Sequence, residues 1–511
     1  MLACVYSGAV YGVNAFTVEI EVSADRGDPN IVIVGLPDAA VRESKDRVWT
    51  ALKNTGFKLE IGRTTINLAP ADIKKEGPSF DLPIAAGILA ATGKITMPDL
   101  HSYAMVGELA LSGEIRRVRG VLPITLEMRK RGKKGILVPE DNADEAAVAE
   151  GIDVYPVRYL RDAIEFLAGN HKLEPYRIDI SELIQRERAR VEDFADVKGQ
   201  ESAKRAMEVA VSGGHNILMI GSPGAGKTML ARRVASILPE LTLNEALEAT
   251  RIHSVAGTLK GHQALVTQRP FRAPHHTISD AGLLGGGTYP VPGEVSLSHN
   301  GVLFLDELPE FHRNVLEVLR QPLEDGFVTI SRAAASVSFP SRFMLVAAMN
   351  PCPCGYSGDP KRECRCTGTK IQNYRNKISG PLLDRIDIHI EVPPLRYSEL
   401  SSLSKGESSA EIRTRVIECR ARQRQRFSAT PHVTCNANMS TRDVEKYCRM
   451  DSGASDMLKL AMTELNFSAR AYNRIVKVAR TIADMDASDS ITSTHITEAI
   501  QYRSLDRNMW I

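Results

Sequence analysis

The sequence is poor in aromatic residues, in cysteine and in net charge. Aromatic residues make up 5% of 511 positions, eight residues are cysteine, and 64 Lys plus Arg offset by 62 Asp plus Glu leave a net charge of +2. Eight cysteines are too few for a disulfide-stapled scaffold, and balanced charge excludes binding of nucleic acid through overall basicity. No apolar run approaches the ~18 residues that span a membrane, and the N-terminus lacks the basic start of a signal peptide. These absences predict a soluble, cytoplasmic protein without a membrane partner.

Length and residue patterning divide the chain into three domains and a linker. A chain of 511 residues is long enough for about three domains. Strand-like and helical runs alternate in the first domain and again, around glycine-rich turns, in the second, which predicts an α/β fold for both. The last domain has a helical pattern throughout. The predicted ranges are 1–168, a charged linker at 169–193, 194–394 and 395–511.

A glycine-rich loop follows the apolar strand predicted at 216–220 and leads into a helical segment. The loop consists of Gly221, Ser222, Pro223, Gly224, Ala225, Gly226, Lys227 and Thr228. Its glycines let backbone N–H groups turn toward phosphate, Lys227 can reach the β- and γ-phosphates, and Thr228 can ligate Mg²⁺. The sequence therefore predicts a P-loop that binds ATP and Mg²⁺.

Two further strands end in polar side chains suited to phosphoryl chemistry. The strand before Asp306 and Glu307 predicts that Asp306 holds Mg²⁺ through water and that Glu307 polarises the attacking water. An apolar strand that ends in acids is common, so this assignment depends on the P-loop. The strand FMLVAAMN ends at Asn350, whose amide can position water beside the γ-phosphate. Arg385, after a short helix, suits an arginine finger that reaches a neighbour's γ-phosphate, and a local ion pair with Asp384 or Asp387 is the alternative.

Together these motifs resemble the AAA+ ATPases of the magnesium-chelatase-like branch. The strings RPFRAPHHTIS (269–279), DGFVTISRA (325–333), NPCPCG (350–355) and SGPLLDRID (379–387) are similar to the ComM/YifB competence family. The resemblance covers essentially the whole chain. It implies an AAA+ core with a helical lid, a sensor-1 role for Asn350, a sensor-2 role for Arg470, and homohexameric rings with each ATP between subunits.

The resemblance also implies a function that the residues alone do not give. Members similar to ComM act as DNA helicases that promote branch migration when incoming single strands are integrated in natural transformation. Single-stranded and branched DNA are then the expected partners. P-loop machinery serves motors of many kinds, so a chelatase-like or protein-remodelling ATPase and an ATP-dependent peptidase remain alternatives.

Two insertions lie between the P-loop and Asn350. Residues 328–339 predict a β-hairpin, which by resemblance is the pre-sensor-1 hairpin facing a ring's channel, where Arg332 would grip DNA phosphate. Arg272, His275 and His276 lie in the other insertion. A structural turn is the favoured interpretation for the two histidines, because no third metal ligand accompanies them.

Four cysteines form two CxC pairs separated by nine residues. Four thiolates on two tight turns can close a tetrahedral Zn²⁺ site, although spacings of two to four residues within a pair are more usual. Free reduced thiols are the alternative. The predicted ligands are Cys352, Cys354, Cys364 and Cys366, in a loop that we expect beside the nucleotide pocket.

The segment EIRTRVIECRARQRQRF carries six arginines against Glu411 and Glu418. It is interpreted either as a DNA-facing helix or as a solvated helix that borders the lid. Its arginines are Arg413, Arg415, Arg420, Arg422, Arg424 and Arg426.

The N-terminal domain resembles the Lon-protease domain, an α/β fold of the ribosomal S5 domain 2-like type. Ser79 falls at the position of the nucleophile in the catalytic serine and lysine dyad. The position of the lysine falls on Leu122, which cannot act as a base. We therefore expect a Lon-protease-like domain that lacks a catalytic dyad.

Overall fold

The structure, a computed structural model, describes residues 1–25, 30–57, 62–180, 192–261, 263–287, 290–332, 335–359, 362–394, 406–430, 433–465, 467–503 and 505. Residues 181–191 of the predicted linker lie outside this set. None of the described helices combines the length and the hydropathy that a membrane crossing requires.

The N-terminal domain is built on a mixed seven-stranded sheet with the order β3-β4-β2-β1-β5-β8-β9. Its strands are β1 (Leu2–Tyr11), β2 (Asn14–Ala24), β3 (Asn30–Val34), β4 (Arg63–Ala69), β5 (Tyr103–Met105), β8 (Gly135–Pro139) and β9 (Asp153–Val157), and β6 (Glu108–Leu109) with β7 (Ile115–Arg116) forms a separate ribbon. Its helices are α1 (Ala39–Asn54), α2 (Asp81–Ala91), α3 (Val121–Lys130), α4 (Ala143–Ala147) and α5 (Leu160–Leu167). β1 and β2 alternate apolar residues toward the core and pair along their whole length. The two strands can reverse tightly because Gly12 adopts φ 64°.

The N-terminal domain extends beyond residue 168, where the sequence predicted its end. The backbone N–H of Tyr176 donates to the carbonyl of Val154 on strand β9 over 2.8 Å. Its hydroxyl donates to Asp144 Oδ1 over 2.5 Å, and Ile178 packs against an apolar cluster that includes Leu122 and Val148. β9 is an edge strand of the sheet, so its outer backbone groups can form further hydrogen bonds. The first part of the predicted linker is attached to the sheet through these groups.

The second domain contains a fully parallel five-stranded sheet with the order β11-β14-β17-β10-β18. The strands are β10 (Ile217–Ile220), β11 (Phe271–Arg272), β14 (Val302–Leu305), β17 (Met344–Met349) and β18 (Ile388–Glu391). Nearly all side chains of β10, β14 and β17 are buried, as expected for a parallel sheet covered on both faces. Two small ribbons complete it, β12 (Gly285–Gly286) with β13 (Val291–Pro292), and β15 (Phe327–Arg332) with β16 (Ala335–Pro340). The last pair confirms the predicted hairpin.

Helices cover this sheet and form the C-terminal part of the chain. Those of the second domain are α6 (Glu201–Gly213), α7 (Lys227–Ile237), α8 (Leu243–Ala256), α9 (Asp280–Leu284), α10 (Glu294–Leu297), α11 (Arg313–Glu317), α12 (Arg320–Asp325), α13 (Gly368–Arg375) and α14 (Gly380–Leu383). The C-terminal helices are α15 (Ser409–Arg426), α16 (Thr441–Tyr447), α17 (Ser452–Glu464), α18 (Ala469–Met485) and α19 (Ser493–Gln501). Capping boxes begin α8, α15 and α16, where side chains satisfy the unpaired first-turn N–H groups.

Leu122 lies in an apolar contact between the N-terminal domain and helix α8 of the second domain. It is fully buried and packs in one cluster with Val148, Ala246 and Leu265. Beside it, the buried carboxylate of Glu145 accepts hydrogen bonds from the Leu122 N–H at 2.9 Å, from the Asn142 side chain and, across the interface, from the Ser254 hydroxyl. An apolar residue at position 122 thus serves the packing of two domains.

The N-terminal domain also contacts the β15/β16 hairpin. The Tyr11 hydroxyl donates to the Ser336 carbonyl over 3.0 Å, and Val13 packs against the cluster that contains Ile330 and Val337. A two-stranded hairpin is marginally stable by itself. The turn between β1 and β2 therefore gives the hairpin a second support besides the second domain.

Replacing Leu122 with alanine should lower the free energy of unfolding by about 2–5 kcal/mol, since it removes a fully buried side chain from the domain contact. Leu111→Ala is the matched control, because Leu111 is 53% exposed and its loss should cost no more than about 0.5 kcal/mol. Denaturant titration of both variants measures the difference. Equal losses of unfolding free energy in the two variants would contradict the packing of Leu122 at the contact between the domains.

Candidate nucleotide-binding site

The loop 221–226 connects strand β10 to helix α7, as the sequence predicts for a P-loop. Gly224 and Gly226 have φ of 78° and 92°, values that side chains disfavour. Gln200, outside the predicted set, donates its Nε2 to the carbonyls of Ala225 at 2.7 Å and Pro393 at 3.0 Å. Its Oε1 is buried with no hydrogen-bond partner among the described residues, which leaves an acceptor beside the loop. The glycines thus allow the backbone path of the loop, and the side-chain amide of Gln200 binds the loop from an adjacent segment.

The ammonium of Lys227 sits within the loop that precedes it. Its Nζ donates to the carbonyls of Gly221 at 2.6 Å and Ser222 at 3.0 Å, and to Asn350 Oδ1 at 3.2 Å. Burial lowers the pKa of this ammonium, and Asp306 and Glu307 oppose the shift. A buried cation whose hydrogen bonds among the described residues go to neutral oxygens, at the start of a helix, favours an anion such as phosphate.

Thr228 and Asp306 meet although 78 residues separate them along the chain. The Thr228 hydroxyl donates to Asp306 Oδ2 over 2.6 Å. Strand β17, which ends beside Asn350, lies between the strands that lead to these two residues. Hydroxyl and carboxylate oxygens are the donors that Mg²⁺ prefers, so this pair fits the ion that ATP carries.

Glu307 follows Asp306 in a left-handed backbone conformation. Its φ and ψ are 53° and 45°, uncommon for a residue with a side chain. Its N–H donates to Asp306 Oδ1 over 2.9 Å, while its own carboxylate Oε2 lies 3.3 Å from Nδ1 of His276. The structure therefore brings a histidine, which the sequence interpretation assigned to a turn, to the predicted base.

The cysteine loop packs against the P-loop. A Cβ on Gly355, whose φ is 86°, would lie 2.5 Å from Cδ and Cγ of Pro223 and 3.8 Å from Cγ of Asn350. The guanidinium of Arg375 donates to the Pro351 carbonyl at 3.2 Å. The residues just after Asn350 are thus held by close contacts to the nucleotide loop on one side and to helix α13 on the other.

The four predicted cysteine ligands converge. Their Sγ atoms all lie within 4.8 Å of one another, and Cys352, Cys354 and Cys364 form a triangle with edges of 3.4, 3.6 and 3.6 Å. These separations exceed a disulfide bond and approach the ~3.8 Å sulfur–sulfur edge of a tetrahedron with Zn–S bonds of about 2.3 Å. Backbone N–H groups of Tyr356 and Arg365 lower the pKa of Cys354 to about 6, which favours the thiolate that a metal requires. The donor set fits a thiophilic metal ion.

Arg385 and Arg470 lie at the edge of the sheet opposite the P-loop. The Arg385 carbonyl accepts from Nδ2 of Asn216, the residue before β10, whereas the P-loop follows the last residue of that strand. The nearly buried guanidinium pairs with Glu324, a partner that differs from the predicted Asp384 or Asp387, and its Nε has no partner among the described residues. The exposed Arg470 lies 3.4 Å from Asp384 on the same edge.

The two insertions are ordered by local contacts. Arg332 is exposed at the turn end of the hairpin, where it pairs with Ala335. Arg272 forms a two-pronged ion pair with Glu294, with both N···O distances 2.6 Å, and His275 Nδ1 lies 3.0 Å from the Thr277 hydroxyl. Arg272 is therefore engaged within the chain, while Arg332 remains accessible.

Four of the six arginines on α15 bind acids or carbonyls of the chain itself. These contacts favour the structural interpretation of the helix over the DNA-facing one. Arg424 is exposed on it. The engaged residues are Arg415 with Glu208 and Glu407, Arg420 with the Val211 carbonyl, Arg422 with the Asp484 carbonyl, and Arg426 with the Asp484 carboxylate.

Three family descriptions match separate parts of the chain. Residues 193–400 match "Magnesium chelatase, subunit ChlI", residues 20–142 match "Subunit ChlI of Mg-chelatase", and residues 406–503 match "Magnesium chelatase, subunit ChlI C-terminal". The chain therefore belongs to the magnesium-chelatase-like AAA+ ATPases.

Full-length relatives narrow this to the ComM/YifB family. Competence protein ComM of Haemophilus influenzae is 45% identical over 99% of this chain and 98% of its own length. The uncharacterized protein YifB of Escherichia coli is 44% identical, with the same coverage. Lon protease 2 of Bacillus subtilis is 30% identical over 193 residues, 34% of either chain. The predicted resemblance to ComM and YifB is confirmed.

Gly355→Ala should weaken ATP binding about tenfold, because the added Cβ pushes the cysteine loop into Pro223 and overpacking of this kind costs about 1–3 kcal/mol. Gly358→Ala is the control. It has a similar φ of 81° in the same loop, but a Cβ there meets no atom within 4 Å. Titration of a fluorescent ATP analogue compares the two variants, and an equal loss in both would assign the effect to backbone strain instead of the contact.

Proposed function

We propose that the protein is a ring-forming AAA+ ATPase that couples ATP hydrolysis to the movement of single-stranded and branched DNA. It would act as a helicase and branch-migration motor during natural transformation. The observation that carries the ATPase half is the meeting of Lys227, Thr228, Asp306 and Asn350 at one edge of a parallel sheet. The DNA half is supported by similarity along the whole chain to a competence protein.

Each residue of this edge has a definite role in the proposal. Backbone N–H groups of 221–226 and the Lys227 ammonium hold the phosphates, and Thr228 and Asp306 hold Mg²⁺, which when bound neutralises developing charge on the phosphates. Glu307 orients and polarises the attacking water. Asn350, already within reach of Lys227, positions that water against the γ-phosphate.

The position of the two arginines supports action between subunits. Strand β10 has four residues, so roughly 13 Å of strand separates the Asn216 end from the P-loop end. Arg385 and Arg470 lie at the Asn216 end and therefore face a neighbour's nucleotide in a closed ring. We propose a homohexamer in which both residues act on the adjacent subunit's ATP, with Arg385 leaving Glu324 to do so.

The remaining parts of the chain have supporting roles. The Lon-protease-like N-terminal domain serves as a structural module without peptidase activity, since Leu122 replaces the dyad lysine and packs against α8. The C-terminal helices form the lid. The four cysteines hold Zn²⁺, which ties the loop after Asn350 to the P-loop.

A chelatase-like or protein-remodelling ATPase is the second candidate. The three matching family descriptions all refer to a magnesium-chelatase subunit, which favours it. The same ATPase geometry would serve either function. The response of hydrolysis to DNA separates them, because a remodelling enzyme has no reason to accelerate on a single strand.

Single-stranded DNA should stimulate ATP hydrolysis. The variant Glu307→Gln should bind ATP but hydrolyse it at least 100-fold more slowly, because an amide cannot polarise water.

Arg332→Ala should lose DNA affinity across all sequences and flatten the salt dependence of that affinity, since phosphate contacts release counterions. Arg424→Ala, which removes an exposed arginine from α15, is the control and should change neither the DNA affinity nor its salt dependence. Hydrolysis indifferent to DNA would favour the remodelling candidate.

Arg385→Ala and Lys227→Ala should each abolish hydrolysis, whereas mixed rings of the two should recover part of it. Recovery follows because some interfaces then combine an intact P-loop with an intact Arg385 from the neighbour. The measurement is ATPase rate against mixing ratio, with co-assembly checked by tagged pull-down. Co-assembled rings that stay inactive at every ratio would assign Arg385 to a structural role with Glu324.

Protein purified without added zinc should contain close to one Zn²⁺ per chain by metal analysis. Cys364→Ser should lose the metal, because three thiolates bind far more weakly than four, and the loop should become sensitive to protease. Cys419→Ser, which alters a buried thiol in α15, is the control and should retain the metal. A metal-free protein with an ordered, protease-resistant loop would contradict the zinc assignment.

A further inference from the structure

A cluster of basic residues at the end of helix α3 has no role in the function proposed so far. Residues 128–139 contain no acid, although the chain as a whole is nearly neutral. Cations in the last turn of α3 complement the helix dipole, but this effect falls off beyond the helix end and does not account for Lys133 and Lys134. We call these residues the α3 basic cluster. Its members are Arg129, Lys130, Arg131, Lys133 and Lys134.

The turn that carries the α3 basic cluster is fixed by backbone hydrogen bonds. Gly132 adopts φ 71°, which allows the chain to reverse after the helix. The N–H of Lys133 then donates to the Met128 carbonyl at 3.1 Å, and the N–H of Lys134 donates to the Ser102 carbonyl at 2.9 Å. A turn held in this way presents its side chains with little further loss of backbone entropy when a ligand binds.

The lysines of this turn are interleaved with aromatic rings. The Lys133 ammonium donates to the His101 carbonyl at 2.8 Å and lies 2.9 Å from the centre of the Tyr6 ring. The exposed His101 ring meets the Tyr6 ring edge-on, with 6.3 Å between the ring centres. Lys134 Nζ lies 5.7 Å from the centre of the Tyr103 ring. Cations beside rings are the chemistry that binds the phosphates and unstacked bases of a single strand.

Acids of the same domain neutralise only part of the α3 basic cluster. Glu127 Oε1 lies 2.9 Å from Arg131 Nε and also accepts from the Thr17 hydroxyl at 3.3 Å. Glu19, which is paired with Tyr6 across β1 and β2, is an exposed acid at the border of the cluster. Among the residues that the structure describes, the other four cations of the cluster form no ion pair with a carboxylate. Most of the positive charge is therefore available to an anionic partner.

Helix α3 leads from the contact with the β15/β16 hairpin to the basic cluster. Just before the helix, a Cβ on Gly120 would lie 2.3 Å from Cγ2 of Val10, and the next residue, Tyr11, donates its hydroxyl to the hairpin. The ten residues of α3 span about 15 Å. The cluster therefore lies about one helix length from the hairpin contact, within reach of the same strand of DNA.

We propose that the α3 basic cluster is a second phosphate-binding surface for single-stranded DNA, on the N-terminal domain. The inference rests on the proposed function, which supplies DNA as the partner and the hairpin as the first contact. The fixed turn presents its cations to backbone phosphates, and the exposed His101 ring offers a surface on which a base can stack. An acidic membrane is disfavoured as the partner, because the apolar residues of α3 are buried in the domain and cannot enter a lipid surface.

The test is the affinity of the full chain for oligo(dT) over a range of salt concentrations. The double variant Lys130→Gln with Lys134→Gln removes two exposed charges. Its affinity should fall roughly tenfold at about 0.1 M salt, and the slope of log affinity against log salt should become about 1.4 less steep, since each phosphate contact contributes about 0.7 on single strands. Lys130→Arg with Lys134→Arg, which keeps the charge, should retain most of the affinity.

The matched control removes the same charge from the opposite face of the sheet. Lys45 and Lys53 are exposed on α1, which packs against the face of the sheet that carries Val5, whereas α3 packs against the face that carries Tyr6. Lys45→Gln with Lys53→Gln should therefore keep both the affinity and the salt slope. An equal loss in the two Gln pairs overturns the proposal, because net charge alone would then explain the binding.

Three further outcomes separate this inference from its alternatives. Unchanged affinity and salt slope in Lys130→Gln with Lys134→Gln, at an unchanged unfolding midpoint, overturn the proposal. Binding of the parent protein to phosphatidylserine vesicles that is lost in this variant, while its DNA affinity is kept, overturns the proposal in favour of a lipid surface. A parent protein that does not bind oligo(dT) contradicts the DNA half of the proposed function as well. A parent protein whose binding depends on Arg332 but not on these lysines contradicts only this inference.

Discussion

Every part of the candidate site depends on the parallel direction of five strands. Because β10, β14 and β17 run the same way, their carboxyl ends lie side by side, and the residues that follow them meet at one edge. Lys227, Asp306 and Asn350 are far apart in sequence but share this edge for that reason. The same geometry places residues that precede the strands, including Arg385 before β18, at the opposite edge. The parallel direction of the strands thus places Lys227, Asp306 and Asn350 at one edge of the sheet and Arg385 at the other.

The sequence was sufficient for features that are local along the chain. The strand, loop and helix around 217–237 follow from an apolar run, glycines and a helical period. The hairpin at 327–340 follows from two alternating strands around small residues, and the similarity to ComM and YifB follows from strings of adjacent residues. In each case the residues that determine the feature lie close together along the chain. Such interactions can be recognised without knowledge of the fold.

The contacts that the sequence analysis missed join residues distant along the chain. Gly355 against Pro223, Gln200 against Ala225, and His276 against Glu307 each depend on how separate segments pack. Arg385 pairs with Glu324, 61 residues away along the chain, whereas the acids next to it in sequence are Asp384 and Asp387. A glutamine in a left-handed conformation, as at Gln200, leaves no compositional signal at all.

The interface around Leu122 limits which side chains this position accepts. Leu122 packs in one cluster with Ala246 and Leu265, and the buried carboxylate of Glu145 beside it already accepts three hydrogen bonds. A charged side chain at position 122 would have to be removed from water within the contact between the two domains, at a cost of several kcal/mol. The choice of residue at this position is therefore constrained by the neighbouring domain as well as by the fold of the N-terminal domain itself.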